Sequence, residues 1–100
     1  MGGHVKESQI QKKIIDYLEG RRFYVVKNIA TNRKGTPDII ACSPGGAFLA
    51  IEVKTENGKL STLQEIKLRE IKKCKGKAMV AWGYDNFLTQ FKNIFPTLVD

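Results

Sequence analysis

The stretch Gly35-Thr36-Pro37-Asp38-Ile39-Ile40-Ala41-Cys42, then Ser43-Pro44-Gly45-Gly46, then Phe48-Leu49-Ala50-Ile51-Glu52-Val53-Lys54, decides the fold. It reads as strand, turn, strand. Ser-Pro-Gly-Gly is turn chemistry, so residues 38–42 and 48–54 are expected to pair as a hairpin. Side chains alternate faces along a strand. Leu49, Ile51 and Val53 therefore share one wholly apolar side, while Phe48, Ala50, Glu52 and Lys54 share the other. The charged end of that second side is a local exception in an otherwise apolar strand. Pairing lets Asp38 and Glu52 converge near one end of the hairpin.

Upstream, Asn32 to Pro37 reads as a loop and residues 23–29 as a β-rich strand. Ile10, Ile14, Tyr17 and Leu18 recur at helical spacing, which predicts a helix over about 7–19 with Gly20 as its stop. Downstream, 55–60 is a loop with an Asn57-Gly58 turn. Ser61 and Gln64 have capping-box spacing and open a helix that runs to about Lys75 before Gly76. Residues 77–82 read as a fourth strand. Asp85 is the expected cap of a last helix, whose Phe87, Leu88, Phe91, Ile94 and Phe95 form an apolar stripe, and Pro96 stops it. The order α-β-β-β-α-β-α predicts an α/β fold with a mixed sheet flanked by helices.

The chain has 100 residues, read as one domain over 1–100. A chain this size buries roughly 60–65% of its unfolded surface, enough for one modest core. With 42% apolar and 27% charged residues it is not a disordered sequence. No apolar run approaches the ~20 residues of a membrane span, and no secretory leader pattern opens it. Lys and Arg total 17 against 10 Asp and Glu, a net charge of +7. That balance favours a polyanionic partner, although solubility alone also produces it. No helix sets lysines opposite a large exposed apolar face, so a membrane partner is not expected. Cys42 and Cys74 have neither disulfide-framework nor metal-ligand spacing; both read as small core residues in a reducing compartment.

Two carboxylates brought together resist ionising unless a cation lies between them. Mg²⁺ suits such a pair, because it takes one or two carboxylates and completes its shell with water and substrate phosphate. An ammonium beside them, Lys54, can offset charge developing on phosphorus. Together these parts suit metal-assisted phosphodiester hydrolysis. A Glu and a Lys two apart on a strand also read as a plain charge pair, and an Asp after Pro as a turn residue. Glu7 lies on the apolar stripe of the first helix, where it is either a third acid for the site or a favourable charge in a first helical turn. Gln64 falls within the apolar arc of its helix, as does Lys67; the first also reads as a cap and the second as a snorkelling lysine.

Gly35-Thr36-Pro37-Asp38, then Ile51-Glu52-Val53-Lys54, then Gln64, after a helix bearing Glu7, resembles the PD-(D/E)XK nucleases and within them the virus-type replication-repair branch, VRR-NUC. The resemblance runs from Glu7 to about Trp82. It implies a restriction-endonuclease-like α-β-β-β-α-β core, with the C-terminal helix as an addition. It implies that Asp38, Glu52 and the Val53 carbonyl hold Mg²⁺ or Mn²⁺, with Glu7 acting through a water or at a second metal. Lys54 would orient the attacking water, and Gln64 would position Lys54 or a water. DNA would be cut to 5′-phosphate and 3′-hydroxyl ends. Similar stand-alone members look like junction resolvases, which implies branched DNA such as Holliday junctions, a homodimer, and the cytoplasm of a bacterial cell or phage-infected host. Flap, nicking or restriction-type cutting uses the same chemistry, and a non-catalytic basic DNA-binding module is the reading from another class. Arg33 and Lys34, beside Asp38, with Lys59 and Lys67, are the expected DNA contacts. Lysine dominance favours backbone over base recognition. The last helix is expected to pack on its own sheet or to form the dimer face.

Overall fold

A computed structural model of the chain describes residues 5–98; the ends of the expected 1–100 domain lie outside them. The elements are α1 (Glu7–Gly20), β1 (Tyr24–Lys27), β2 (Ile39–Cys42), β3 (Phe48–Lys54), α2 (Thr62–Lys73), β4 (Lys77–Trp82) and α3 (Tyr84–Ile94), closed by a 3₁₀ turn, Pro96–Leu98. The four strands form one mixed sheet in the order β1-β2-β3-β4. β1, β2 and β3 are antiparallel neighbours, while β4 runs parallel to β3. A parallel partner needs a crossover, and α2 supplies it.

Strand alternation sends Leu49, Ile51 and Val53 into a core with Ile10, Ile14 and Leu18 of α1 and Phe87 and Phe91 of α3. Tyr17, Phe23, Phe87, Phe91 and Phe95 stack through edge-to-face and tilted contacts at 5.2–5.7 Å. Such pairs add ~0.5–1.5 kcal/mol beyond burial. The stripe of α3 is thus covered by its own sheet and α1. The opposite face holds a smaller cluster, Ala50, Leu68 and Ala78, under α2.

The element ends depart from the expected ones for identifiable reasons. Gly20 and Gly76 do not make the turns that stop α1 and α2. Arg22 (φ 67) and Lys75 (φ 71) make them, as the left-handed residues of two Schellman motifs. The amide of Phe23 donates to the Leu18 carbonyl at 3.1 Å, and that of Gly76 to Ile71 at 3.0 Å. α2 consequently ends at Lys73, short of Lys75. β1 is shorter than 23–29 because Phe23 turns into the core and Asn28 leaves the ladder to hold the loop before β2. Gly83, not Asp85, caps α3; Asp85 lies in the first turn.

Both cysteines are exposed, which corrects the expectation that they are core residues. In β2 the alternation buries Ala41 and turns Cys42 outward. Cys74 is the C-cap of α2, past its last buried position.

Candidate active site

β2 pairs with β3 in the register Ile39↔Ile51 and Ile40↔Ala50, so Asp38 stands beside Glu52 at the open end of the hairpin. The backbone amide of Val53 donates to Asp38 Oδ2 at 2.8 Å, which fixes that carboxylate across the strand pair. Glu52 is 3% exposed. Burial first, then the charge of Asp38 and a hydrogen bond to it, push the Glu52 carboxyl from 4.5 up to about 8; Lys54 pulls it down and Glu7 pushes it up. The Lys54 ammonium lies 3.8 Å from Glu52 Oε2. The backbone of Lys54 is itself held, because its carbonyl accepts from the Gly83 amide at 2.9 Å.

Gln64 takes the cap role that the sequence left open, and its side-chain amide turns to Glu52 rather than to the expected Lys54. Its backbone amide donates to Ser61 Oγ at 3.1 Å and its Oε1 accepts from the Ser61 amide at 2.9 Å, closing the capping box. Its Nε2 meanwhile donates to Glu52 Oε2 at 3.0 Å. One side chain starts α2 and clamps the buried acid.

The loop before Asp38 is shaped by close packing. Gly35 has φ +81, and a Cβ there would meet Leu63 Cγ at 2.8 Å and Lys67 Cγ at 3.2 Å. Glycine alone satisfies both the backbone angle and the approach of α2. Asn28 holds the same loop from the other side. Its Nδ2 donates to the carbonyls of Thr36 (3.4 Å) and Pro37 (3.2 Å), and its amide donates to the Asp38 carbonyl at 2.7 Å. Sequence reasoning missed Asn28 because it looks like the tail of a strand. Its signal is an amide side chain ending an otherwise apolar strand.

Asp38, Glu52, Lys54 and Gln64 are brought together. Glu7, half-buried in the first turn of α1, reaches Glu52 only through its charge. Among the described residues no three of His, Cys, Asp and Glu gather as a metal cage. Two juxtaposed carboxylates without thiolate or imidazole nonetheless fit a hard divalent cation, whose shell water and phosphate complete. A buried acid too crowded to ionise at neutral pH is the electrostatic counterpart of that fit. Arg33 and Lys67 line a groove beside the site, whereas Lys34 and Lys59 are exposed on loops.

A mixed sheet with an acid pair and a lysine at the open end of its central hairpin defines the class: a nuclease of the PD-(D/E)XK type. The sequence matches the VRR-NUC domain family over residues 4–85, and the chain belongs to that family. Nucleases of this kind act on DNA and generally use divalent metal ions. Two solved structures share the fold, both at a TM-score of 0.77. One, described as a VRR_NUC domain, is 24% identical and covers 90% of this chain and 97% of its own. The other, a VRR_NUC domain protein, is 21% identical and covers 98% of this chain and 93% of its own. No curated protein matches the sequence.

Proposed function

We infer that this chain is a Mg²⁺- or Mn²⁺-dependent endonuclease that hydrolyses DNA phosphodiesters, selects branched DNA such as Holliday junctions, and works as a homodimer in the cytoplasm of a bacterial cell or a phage-infected host. The observation that carries the chemistry is the contact set on Glu52. A buried carboxyl meets Asp38, takes a hydrogen bond from Gln64, and has the Lys54 ammonium at 3.8 Å. Asp38, Glu52 and the Val53 carbonyl would hold the divalent ion, which would supply Lewis-acid stabilisation of the phosphoryl oxygens. Lys54 orients the attacking water and offsets the charge that develops on phosphorus. Gln64 keeps Glu52 aimed, and Glu7 contributes from α1 through a water or a second metal position. Water adds to phosphorus, the bond to the 3′ oxygen breaks, and that oxygen leaves as a hydroxyl. The preference for branched DNA rests on the lysine-rich surface, which favours backbone and shape over base reading, and on the family. In a homodimer, two-fold symmetry would present two sites to two strands.

The test is cleavage of four-way junctions, flaps and linear duplex with Mn²⁺ by wild type, Lys54→Ala and Asp38→Asn. Each variant is expected to lose at least about 100-fold in rate while remaining folded, which melting curves check. Equal cleavage by all three proteins would falsify the site. A wild type that binds DNA and cuts none of the three would make the domain a passive DNA-binding module.

A further inference from the structure

α2 packs on β3 and β4, and leaves the β1–β2 half of its sheet face open. The pairs Tyr24↔Cys42, Val26↔Ile40 and Cys42↔Phe48 put these side chains on that open half. Phe48 is 44% exposed and Tyr24 72%. Between this surface and the last turns of α2 runs a groove of about 700 Å³. Its floor is apolar, with Pro37, Ile40, Phe48 and Ile71; its rim carries Arg33, Lys67 and Lys75. A second hollow of about 510 Å³, over Val26 and Ile29, shares Thr36 and Ile40 with the first, so the two are adjacent. Lys27 lines the second. The end of α2 can approach Phe48 because Gly76 lies between them; a Cβ there would meet Ile71 at 2.8 Å and Phe48 Cδ1 at 3.1 Å.

The rim settles what kind of occupant fits. Among the described residues the one carboxylate lining the groove, Glu70, is paired with Lys67 at 3.4 Å. A second copy of a +7 chain would meet like charge here. A nucleic acid offers phosphates to the rim and flat apolar bases to the floor. A duplex keeps its base faces stacked on one another, so only unpaired nucleotides can reach Phe48. The groove also adjoins the acid pair. Pro37 precedes Asp38, and Ile40 follows it by two residues on the same face, about 6–7 Å along the strand.

We propose that this groove holds unpaired nucleotides of the DNA substrate, a base stacked on Phe48 and its phosphates on Arg33, Lys67 and Lys75, next to the phosphate that is cut. It deepens the nuclease reading and rests on it. The test is fluorescence anisotropy of the intact chain in EDTA with a labelled oligo-dT of about 12 nucleotides and with a paired duplex of equal length. Phe48→Ala and Phe48→Leu are expected to weaken oligo-dT binding by about 5- to 100-fold, and duplex binding by less than about twofold; Phe48→Trp restores the former. Melting curves confirm that each variant is folded. Unchanged oligo-dT affinity in folded Phe48→Ala and Phe48→Leu overturns the groove, even if wild type cuts DNA. A wild type that cuts nothing, with the Phe48 dependence intact, overturns the nuclease reading and keeps the groove. If sedimentation shows Phe48→Ala dissociating a dimer with oligo-dT binding intact, the occupant is a second copy and the nucleotide site is wrong.

Discussion

On one face of the sheet, α1 and α3 close over Leu49, Ile51 and Val53 with a set of interlocked aromatic rings. On the other, α2 covers Ala50 and Ala78 with Leu68, and the β1–β2 half stays open beside Asp38 and Glu52. The same strand supplies both faces by alternation. Its odd-numbered residues are wholly apolar, while its even-numbered ones run from Phe48 through Ala50 to an acid and a lysine. The contrast implies that stability resides mainly on the closed face and chemistry on the open one, so mutations should separate cleanly by side.

The largest effect belongs to the closed face. Phe91 is fully buried and touches Tyr17, Phe23, Phe87 and Phe95. Phe91→Ala is expected to cost ~3–5 kcal/mol, as emptied aromatic sites do. For a domain of this size that is a large share of the ~5–15 kcal/mol available, and it lowers the melting temperature by about 15 °C or more. Chemical denaturation measures it directly. A loss below about 1 kcal/mol would mean that the aromatic set is not where the fold's stability lies.

The open face predicts the opposite sign. The Glu52 carboxyl sits near 8 in the fold against 4.5 in an unfolded chain, raised chiefly by burial and by Asp38. Between those values the folded chain holds a proton that the unfolded chain releases. The contribution of Glu52 to metal-free stability is therefore greatest below about 4.5, falls as pH rises toward 8, and levels off above it. Glu52→Gln keeps the shape, accepts the same bond from Gln64 and removes the titration. It should melt a few degrees higher than wild type at pH 8 without metal, match it near pH 4.5, and cut no DNA. Mg²⁺ should raise the wild-type melting temperature and leave the variant unmoved. Parallel pH profiles for the two proteins would show that burial and Asp38 do not hold the Glu52 carboxyl above its ordinary range.

The two faces also differ in how far they could be read ahead of the structure. The hairpin, the convergence of Asp38 and Glu52, and the apolar side of β3 were legible because strand alternation is local and has period 2. The aromatic stripe of α3 was legible as a stripe, but whether its own sheet or a second copy covers it depends on packing. Cys42 shows the same limit. Alternation separates two sides of a strand without saying which side a helix will cover. Asn28 and the bond from Gln64 to Glu52 depend on contacts from other elements; spacing places an amide late in a strand and Gln64 in an apolar arc without naming the partner of either. The ends of α1 and α2 were misread for a different reason. Glycine is the usual left-handed residue, and here Arg22 and Lys75 take that place.

Gln64 allows a smaller and sharper separation, since cap and clamp share one residue. Ser61→Ala removes only the cap bond and should cost about 1 kcal/mol of stability with little change in cleavage rate. Gln64→Ala keeps that bond but removes the one its Oε1 accepts from the Ser61 amide and the clamp on Glu52, and should lower the rate by roughly 10- to 100-fold, as lost support for a metal-binding carboxylate does. Equal rates in the two variants would reduce Gln64 to a helix cap.

The smallest effect comes from the paired helix ends. Arg22 and Lys75 hold the same left-handed geometry, at φ 67 and 71, one after α1 and one after α2. A side chain in that conformation crowds the following carbonyl, a cost that glycine avoids. Arg22→Gly is thus expected to stabilise the fold by about 0.5–1 kcal/mol, while Arg22→Ala, which keeps the Cβ, brings no gain. Lys75→Gly should yield a similar increment in a denaturant titration. It differs in one respect, because Lys75 lines the groove on the open face and Arg22 does not. Only Lys75→Gly should weaken oligo-dT binding, by an amount that shrinks as salt rises. If both variants gain stability and neither loses affinity, the open face owes nothing to this lysine. If Arg22→Gly weakens binding equally, the division of labour between the two faces fails, since a substitution on the closed side would then reach the DNA.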